Sequence, residues 1–481
     1  MEIQQLIRQR IFDNTFTLIG TSGEKYDVEK FRMEYTALRN YLSTKITNTS
    51  GVGIKLKKDP RFLMAMLACM ESGIPYVPMR INYPESRVDQ IKQETGFSLL
   101  LTEEIFDEIV SKNTIEYIEP NHNKLDTLYT ICTSGSTGKP KAVIVSRISI
   151  NDFWKWCDDY FTQITSKDRI LQVADFTFDI SLIDVGLFLY KGASLNFSKF
   201  NGNIFTLALE IEEKKVTFLN TVVNNFNMLL EESVFSRANF SSLKSVVMGG
   251  ARFTTGLYNK CVENFSNVEV NNLYGVTEVP VYSHAKKMNF NDSDINDHNI
   301  SVGKTLGTTT AIIVKDGKRL PTGEKGELLL GGGQLMKGYA NDPIQTKEVL
   351  IEFEGETYYR TGDISYQADN DEFFIVGRMD DTIKYRGYRI NLLDIDSYIQ
   401  TLDYVDHAVT FAIPNELTQN TTICYIKLKN DIEVKAIKKD MAQILLDYQI
   451  PEKILLVDSF PLNDNGKICK KTLRSYHLEV K

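Results

Sequence analysis

The spacing of apolar residues along the chain predicts a series of helices and strands. From residue 28 to residue 42, apolar side chains recur at steps of three and four, which predicts a helix that buries one face. These positions are Val28, Phe31, Tyr35, Leu38 and Leu42. Short runs rich in β-branched and aromatic residues predict strands, at Ser245–Met248, Ala311–Val314, Leu328–Leu330 and Phe373–Val376. Because helical patterns at 204–211 and 222–230 lie among the strands, we predict a layered α/β body.

The last hundred residues show a pattern of their own. Strand-like runs at 408–413 and 425–428 precede an amphipathic helix predicted over 434–446, and Pro451 follows that helix. A small α+β domain fits this order. Residues 381–481 hold 14 Lys plus Arg and 14 Asp plus Glu, so residues 1–380 carry the whole net charge of −8. We therefore predict a large domain over 1–380 and a small domain over 381–481.

Composition and charge exclude several classes of protein. With 481 residues, the chain is about three times as long as a typical domain of ~150 residues. Its 42% of hydrophobic residues excludes a disordered chain. The net charge of −8 argues against a nucleic-acid binder that works by bulk positive charge. Chemistry on a small molecule is favoured.

Cysteine and histidine spacing argues against a structural zinc site. The six cysteines include no Cys-x-x-Cys pair, and the five histidines are isolated in sequence. The first residues lack the basic and apolar regions of a signal peptide. The longest apolar run, Phe62–Met70, is far below the ~20 residues of a membrane-spanning helix. We expect a soluble, reduced, cytoplasmic protein without a membrane span.

A glycine- and hydroxyl-rich segment, Thr-Ser-Gly-Ser-Thr-Gly-Lys-Pro-Lys, follows a strand-like run at 129–132. Glycines expose backbone N–H groups, hydroxyls add donors and lysines add charge, which together suit a polyphosphate. The spacing excludes a Walker loop, because only two residues separate the first glycine from Gly-Lys. A flexible surface turn is the alternative. The predicted phosphate-binding residues are Thr133, Ser134, Gly135, Ser136, Thr137, Gly138 and Lys141.

This segment resembles the phosphate loop of the adenylate-forming enzymes, which include acyl-CoA synthetases, luciferases and the amino-acid adenylation domains of non-ribosomal peptide synthesis. Further matches follow in the family's order, at Asn272–Glu278, Gly326–Leu328, Gly338–Tyr339, Tyr359–Asp363, Gly377–Asp380, Lys384–Ile390 and Asn465–Lys467. The resemblance spans essentially the whole chain and is greatest to stand-alone adenylation domains and D-alanine carrier-protein ligases. It implies the adenylate-forming enzyme fold, a large N-terminal α/β body with a small, rotating C-terminal α+β lid.

The resemblance also implies how ATP and Mg²⁺ bind. Tyr274 would offer its ring to adenine, and Asp363 would accept both ribose hydroxyls, since a carboxylate takes two O–H donors. Glu278 would supply a hard oxygen to Mg²⁺. Taken alone, the Tyr-Gly segment is equally typical of a structural turn, and an Asp after Thr-Gly is more often a turn residue. The other implied ATP contacts are Gly250, Asn272, Gly275, Thr277 and Arg378.

Lys467 matches the catalytic lysine of the family. The resemblance implies that this cation bridges the substrate carboxylate and the α-phosphate as negative charge redistributes. The family commonly continues Lys-x-Asp-Arg, whereas this chain has Lys467-Ile468-Cys469-Lys470 and lacks the carboxylate. A solvated turn lysine is the alternative. The small domain is expected to rotate about Asp380 between two half-reactions, which brings residues 384–389 towards the acceptor.

The segment Phe178-Asp179-Ile180-Ser181 resembles the one in which amino-acid-activating members place an Asp against the substrate ammonium. A buried carboxylate requires a cationic partner. A helix-capping Asp is the alternative. The other implied pocket residues are Ile180, Ile183, Asn220, Val247, Gly249, Leu273, Val281 and Tyr282. D-alanine ligases have a bulkier residue at the position of Gly249, so its glycine predicts an amino acid larger than alanine.

We therefore expect a ligase that converts an α-amino acid and ATP into aminoacyl-AMP and pyrophosphate and then forms a thioester. The chain ends 14 residues after Lys467, so the phosphopantetheine thiol is expected on a separate carrier protein or in coenzyme A. One alternative is an acyl-CoA ligase that uses a carboxylic acid without an amino group. Another is a catalytically inactive scaffold protein.

Overall fold

The computed structural model describes residues 2–13, 15–46, 51–112, 126–133, 141–251, 253, 255–290, 294–296, 299–379, 382–385, 387–415, 419–430, 432–461 and 472–473. The helices there are α1 (Ile3–Arg8), α2 (Val28–Lys45), α3 (Pro60–Ser72), α4 (Glu85–Thr95), α5 (Glu103–Ser111), α6 (Arg147–Tyr160), α7 (Ser181–Lys191), α8 (Ile204–Glu213), α9 (Val223–Leu229), α10 (Glu232–Phe235), α11 (Thr255–Asn264), α12 (Pro343–Val349), α13 (Leu392–Ile399) and α14 (Val434–Ile444). The strands are β1 (Leu18–Ile19), β2 (Val52–Ile54), β3 (Tyr76–Pro78), β4 (Leu99–Leu101), β5 (Thr127–Thr133), β6 (Lys141–Ser146), β7 (Arg169–Gln172), β8 (Ser194–Phe197), β9 (Phe218–Val222), β10 (Ser245–Gly249), β11 (Glu269–Val276), β12 (Val279–Lys287), β13 (Ile295–Asn296), β14 (Asn299–Ile300), β15 (Lys304–Thr305), β16 (Thr309–Lys315), β17 (Lys318–Arg319), β18 (Gly326–Gly332), β19 (Gly338–Tyr339), β20 (Leu350–Phe353), β21 (Glu356–Gln367), β22 (Phe373–Arg378), β23 (Thr382–Tyr385), β24 (Tyr388–Asn391), β25 (Val405–Asn415), β26 (Gln419–Leu428) and β27 (Lys453–Leu456).

The elements predicted from apolar spacing are present. The predicted helix at 28–42 is α2, and the side chain of Asp27 accepts a hydrogen bond from the backbone N–H of Lys30 at its N-terminus. The predicted strand at 245–248 is β10. Asp316 and Gly317 have φ of +50° and +71° in the turn between β16 and β17, as a two-residue hairpin turn requires.

An eight-stranded sheet forms the centre of the large domain. Its strand order is β1-β8-β7-β9-β10-β11-β12-β15. The first six strands of this order pair in parallel, whereas β12 pairs with β11 antiparallel. Ligands of open parallel sheets bind beyond the carboxyl ends of the strands. The ends of β7, β9, β10 and β11 therefore mark the candidate site.

Two further sheets flank this centre. One has the order β19-β6-β5-β3-β2-β4, and its antiparallel pair β5–β6 brings Thr133 opposite Lys141. The other contains β17-β16-β18-β21-β20, with β22 paired to β21, and carries Asp363. The apolar run at 62–70 lies in α3, where these residues are all buried in the core. Across the described ranges, no helix is long and apolar enough to cross a membrane.

The last part of the chain has its own apolar core. The sheet β25-β26-β27 packs with α13 and α14. Buried apolar residues of this core lie between Tyr385 and Ile454, whereas the core of the eight-stranded sheet reaches only to Phe373. The hairpin β23–β24 precedes α13 and extends from this core to the large domain, where it contacts the candidate site.

Candidate active site

Asp179 is a buried carboxylate at the carboxyl end of the central sheet. It lies in the loop after β7, two residues before α7, and is 7% exposed. Its Oδ2 accepts a hydrogen bond from the backbone N–H of Val281 at 3.1 Å. Burial raises the pKa of Asp179 to about 6, although this hydrogen bond opposes the rise. No Lys or Arg of the described ranges forms an ion pair with Asp179, so a bound cation would stabilise it.

A strained residue supplies the hydrogen bond to Asp179. Val281 has φ of +69°, which is rare for a β-branched side chain. The side-chain amide of Gln334 donates to the carbonyls of Pro280 and Tyr282, each at 3.0 Å. These bonds hold the backbone on both sides of Val281 and so maintain the strained conformation. The sequence carries no signal that pairs Gln334 with this strand.

The predicted pocket residues gather around Asp179. They come from the loop before α7, from α7 itself and from β9, β10, β11 and β12. The side-chain amide of Asn220 donates to the carbonyl of Ile180 at 2.8 Å and thereby ties β9 to the loop before α7. Ile180 is partly buried. The fully or almost fully buried members are Ile183, Asn220, Val247, Leu273, Val281 and Tyr282.

Gly249 does not leave open space in the pocket. A β-carbon on Gly249 would overlap the ring of Tyr282 and lie 2.9 Å from the carbonyl oxygen of Leu273. Tyr282 is 1% exposed, so its ring fills the volume that a larger residue 249 would take. The expectation of an amino acid larger than alanine assumed that this volume is empty, and that assumption is wrong. Only the fold brings residues 249 and 282 together.

Tyr282→Ala should reopen this volume and change the size preference of the pocket. We expect the ratio of kcat/KM for a large over a small amino acid to rise about tenfold, because a few methylenes in an apolar pocket are worth about 1–3 kcal/mol. Tyr282→Phe is the matched control, since it keeps the ring and should leave the ratio unchanged. Steady-state kinetics with amino acids of graded size measure the ratio. An unchanged ratio in Tyr282→Ala would place the ring outside the pocket.

Tyr274 and Asp363 form a second buried centre beside this pocket. The hydroxyl of Tyr274 donates to Oδ2 of Asp363, and both residues are at most 6% exposed. Asp363 lies opposite Arg378 in the register of β21 and β22. The Nζ of Lys384, from the small domain, is 5.5 Å from the centroid of the Tyr274 ring. The residues implied for adenine and ribose are therefore neighbours.

The neighbouring residues of β11 are held close to this centre. The side-chain amide of Asn272 donates to the carbonyl of Ser301 at 2.8 Å, which fixes its orientation. Gly275 lies so close to β12 that a β-carbon would overlap the carbonyl oxygen of Val281. Glycine is therefore required at position 275, where two backbones meet.

Glu278 lies in a tight turn with Thr277, between β11 and β12, and is 3% exposed. Its Oε1 accepts a hydrogen bond from the hydroxyl of Tyr339 at 2.8 Å. The Nζ of Lys141 lies 5.5 Å from the centroid of the Tyr339 ring. Lys141, at the end of the predicted phosphate-binding segment, is thus linked to Glu278 through an aromatic residue. Gly338-Tyr339 is one of the matched segments, but the sequence assigned Tyr339 no role.

Glu278 fits a magnesium site in which the protein and a bound nucleotide both supply ligands. Mg²⁺ is usually held by one or two carboxylates plus phosphate oxygens and water. Glu278 supplies one buried carboxylate, and the described ranges contain no group of three or more His, Cys, Asp or Glu residues that could hold a metal alone. An ion at Glu278 would therefore take most of its ligands from phosphates.

The hairpin of the small domain reaches this site. Gly250 and Gly387 have φ of +79° and +83°, a range that favours glycine. A β-carbon on Gly250 would lie 3.5 Å from the carbonyl oxygen of Gly387, and one on Gly387 would overlap Val222. Gly250, implied as an ATP contact, thus faces the small domain. A cavity of about 340 Å³ lies at the junction, with Arg80, Tyr83, Arg87, Tyr398, Gln443 and Gln449 among its lining residues.

Several predicted residues lie outside the described ranges. They are Ser134, Gly135, Ser136, Thr137, Gly138, Asp380 and Lys467. The two ends of the phosphate loop are described, and the hydroxyl of Thr133 donates to the carbonyl of Lys141 at 3.4 Å. The roles assigned to these residues remain predictions.

Comparison with known proteins identifies the family. The family model of the AMP-binding enzymes matches residues 12–340, and that of the AMP-binding enzyme C-terminal domain matches residues 394–467. A D-alanine–D-alanyl carrier protein ligase of Bacillus licheniformis is 29% identical over 90% of this chain and 90% of its own length. Gramicidin S synthase 2 of Aneurinibacillus migulanus is 28% identical over 89% of this chain.

The coverage of these relatives differs. The chain spans only 10% of gramicidin S synthase 2. A solved structure described as NpsA-ThdA, an artificially fused adenylation-PCP di-domain of Klebsiella oxytoca, superposes with a TM-score of 0.83 at 24% identity and covers 94% of this chain and 92% of its own. It supports the predicted fold class. Because one family model spans well over half of the sequence, this chain belongs to the AMP-binding enzymes, and the family membership that the sequence motifs indicated is confirmed.

Proposed function

We propose that this chain activates an α-amino acid with ATP and transfers the aminoacyl group to the phosphopantetheine thiol of a separate carrier protein. The observation that carries this proposal is the buried carboxylate of Asp179, which has a backbone donor but no ion pair with a Lys or Arg of the described ranges. A substrate ammonium would supply the missing cation. A carboxylic acid without an amino group would leave Asp179 uncompensated.

In the first half-reaction, an oxygen of the substrate carboxylate attacks the α-phosphorus of ATP. A new P–O bond forms, the bond to the β-phosphate oxygen breaks, and pyrophosphate leaves. Asp179 orients the amino acid by its ammonium, so that its carboxylate points towards the nucleotide. The charge of Glu278 contributes to the raised pKa of Asp179, which supports the proximity of the amino-acid and phosphate positions.

The nucleotide-binding part of the proposal rests on Tyr274, Asp363 and Glu278. Tyr274 and Asp363 would bind adenosine, and Glu278 together with Lys141 would face the phosphates. Glu278 would hold Mg²⁺, which would supply positive charge against the negative charge that develops on the phosphates. The protein itself needs no nucleophile, because its residues position two anions and stabilise charge.

In the second half-reaction, the thiol sulfur attacks the carbonyl carbon of the adenylate and AMP leaves as the thiol loses its proton. We place the domain boundary at residue 380, with Asp380 as the hinge, and assign Lys467 to the first half-reaction. The D-alanine ligase relative, whose name includes a carrier protein, supports an acceptor of this kind. The proposal places the enzyme in the cytoplasm, where ATP and reduced thiols are available.

A panel of carboxylic acids tests the proposal directly. The purified chain should catalyse pyrophosphate exchange into ATP with at least one of the common amino acids, presented as both enantiomers. Fatty and aryl acids with coenzyme A form the comparison set. Exchange with these acids alone would replace the proposal by an acyl-CoA ligase, and no exchange with any acid would indicate an inactive family member.

A further inference from the structure

A cluster of four side chains, Arg80, Phe178, Tyr388 and Tyr448, joins the two domains beside the pocket. We call it the Arg80 cluster. An η-nitrogen of Arg80 donates to the hydroxyl of Tyr388 at 3.0 Å. The guanidinium carbon of Arg80 lies 5.3, 5.5 and 5.8 Å from the ring centroids of Phe178, Tyr388 and Tyr448. The rings of Tyr388 and Tyr448 stack at 3.7 Å with an interplanar angle of 10°.

The members come from four separate segments of the chain. Arg80 follows β3 in the large domain, and Tyr388 and Tyr448 belong to the small domain. Phe178 immediately precedes Asp179, and its ring contacts Tyr388 edge-on at 5.0 Å. The guanidinium therefore lies between the loop that carries the proposed ammonium-binding carboxylate and the hairpin of the small domain.

The Arg80 cluster also contacts the base of this loop. Asp175 Oδ1 lies 3.9 Å from Nε of Arg80 and accepts hydrogen bonds from the backbone N–H and the hydroxyl of Thr177. The side chain of Arg80 is only 19% exposed, so its contacts with aromatic rings are weakly screened by solvent. A planar guanidinium can stack on rings and donate a hydrogen bond at once, which a lysine ammonium cannot do.

We propose that Arg80 is a positioning residue for thioester formation, an inference that rests on the proposed function. With these contacts made, the small domain holds Lys384 over Tyr274 and Gly387 against Gly250. This is the arrangement assigned above to the second half-reaction, in which residues 384–389 face the acceptor. Arg80 couples that arrangement to the loop of Asp179, so closure of the small domain and placement of the aminoacyl group occur together.

The two half-reactions must respond differently if Arg80 acts in this way. The proposed rotation about Asp380 gives the first half-reaction a second orientation of the small domain, and we expect the contacts of Arg80 with Tyr388 and Tyr448 to be broken in it. Loss of the Arg80 contacts should therefore leave adenylate formation intact. A purely structural role would reduce both half-reactions alike, because the population of folded enzyme would fall.

The test compares Arg80→Leu, Arg80→Lys and Tyr388→Phe. We expect pyrophosphate exchange within twofold of the unmodified protein in all three. Single-turnover transfer from the preformed adenylate to pantetheine, used as the thiol probe, should slow about tenfold in both Arg80 variants and about threefold in Tyr388→Phe. Arg61→Leu is the matched control, because Arg61 lies 5.2 Å from the Phe106 ring within the large domain. It should change neither rate.

Hydrogen exchange of the free protein gives a second readout that needs no substrate. Amides of β24 should exchange faster in Arg80→Leu and at the unmodified rate in Arg61→Leu. An unchanged rate of hydrogen exchange in β24 of Arg80→Leu would overturn the role of Arg80. An equal decrease in the rates of both half-reactions would do the same. Absence of pyrophosphate exchange in the unmodified protein would instead overturn the proposed function, while hydrogen exchange would still decide whether Arg80 holds the hairpin.

Discussion

Asp179→Asn is expected to raise the KM for the amino acid at least about 100-fold and, at the same time, to stabilise the free protein. The amide keeps the shape of the carboxylate but cannot neutralise an ammonium. Breaking a buried ion pair by removing one partner costs about 3–5 kcal/mol, which corresponds to this loss of affinity. Steady-state kinetics and thermal unfolding of the same preparation measure the two effects. The variant binds the amino acid more weakly but is more stable without it, because the ammonium that compensates the carboxylate is present only in the substrate complex.

The stability gain should depend on pH. Burial raises the pKa of Asp179 to about 6, above the ordinary value of about 3.9. The folded state therefore binds this proton more tightly than the unfolded state, so the destabilisation is complete above pH 6 and disappears below about pH 4. A pKa difference of one between the folded and unfolded states corresponds to about 1.4 kcal/mol in the free energy of unfolding. Asp179→Asn should thus gain a few kcal/mol at most at pH 8 and almost nothing at pH 4.

Asp168→Asn provides the opposite control. Asp168 is buried like Asp179, with 1% exposure, but its Oδ1 pairs with Nζ of Lys244 at 2.7 Å. Burial acts to raise the pKa of Asp168, yet Lys244 and the hydrogen bonds of Thr165 hold it below the ordinary value. This variant should lose stability at pH 8 without any change in KM.

Unchanged amino-acid kinetics in Asp179→Asn, together with activity on fatty or aryl acids, would contradict the ammonium-binding role.

Lys467→Ala is expected to reduce amino-acid-dependent pyrophosphate exchange by about a thousandfold. The proposed role of the lysine is to neutralise negative charge that moves between the attacking carboxylate and the α-phosphate. Removal of one such preorganised group typically costs about 10²–10³ in rate. Exchange of labelled pyrophosphate into ATP measures this step alone. Transfer from the preformed adenylate should be little affected, since Lys467 is assigned to the first half-reaction.

The neighbouring lysines provide matched controls for Lys467. Lys470 and Lys471 lie in the same basic stretch, so Lys470→Ala and Lys471→Ala remove the same charge from the same region. Each variant should retain a rate of pyrophosphate exchange within about twofold of the unmodified protein. Exchange close to that of the unmodified protein in Lys467→Ala, or an equal loss in all three variants, would contradict the catalytic role and indicate a general effect of the basic stretch.

Local patterns in the sequence predicted much of the fold. The helix α2 follows from apolar residues at steps of three and four, and the strand β10 follows from a short run rich in β-branched residues, because both depend on neighbours in sequence. The family of the chain and the segments of the candidate site followed from motifs. Each helix, strand and motif is a local pattern, and the order of the motifs along the chain indicated the family.

Contacts between distant segments could not be predicted in this way. Tyr274 and Asp363 share a hydrogen bond although 89 positions separate them. The ring of Tyr282 beside Gly249 removes the basis of the inference about pocket size, because the volume left by one residue is filled by another from a different strand. Gln334 and Arg80 carry no motif at all. Their roles arise from the packing of sheets and domains.

The hydrogen bond between Tyr274 and Asp363 has a consequence for nucleotide selection. With Asp363 as the proposed acceptor of both ribose hydroxyls, the phenol is an internal competitor for the same carboxylate. Binding of ATP would break the hydrogen bond from Tyr274 to Asp363 and form two from the ribose hydroxyls. Binding of 2′-deoxy-ATP would break the same hydrogen bond and form only one, with no net gain. Discrimination against deoxyribonucleotides would then need no steric barrier to the sugar.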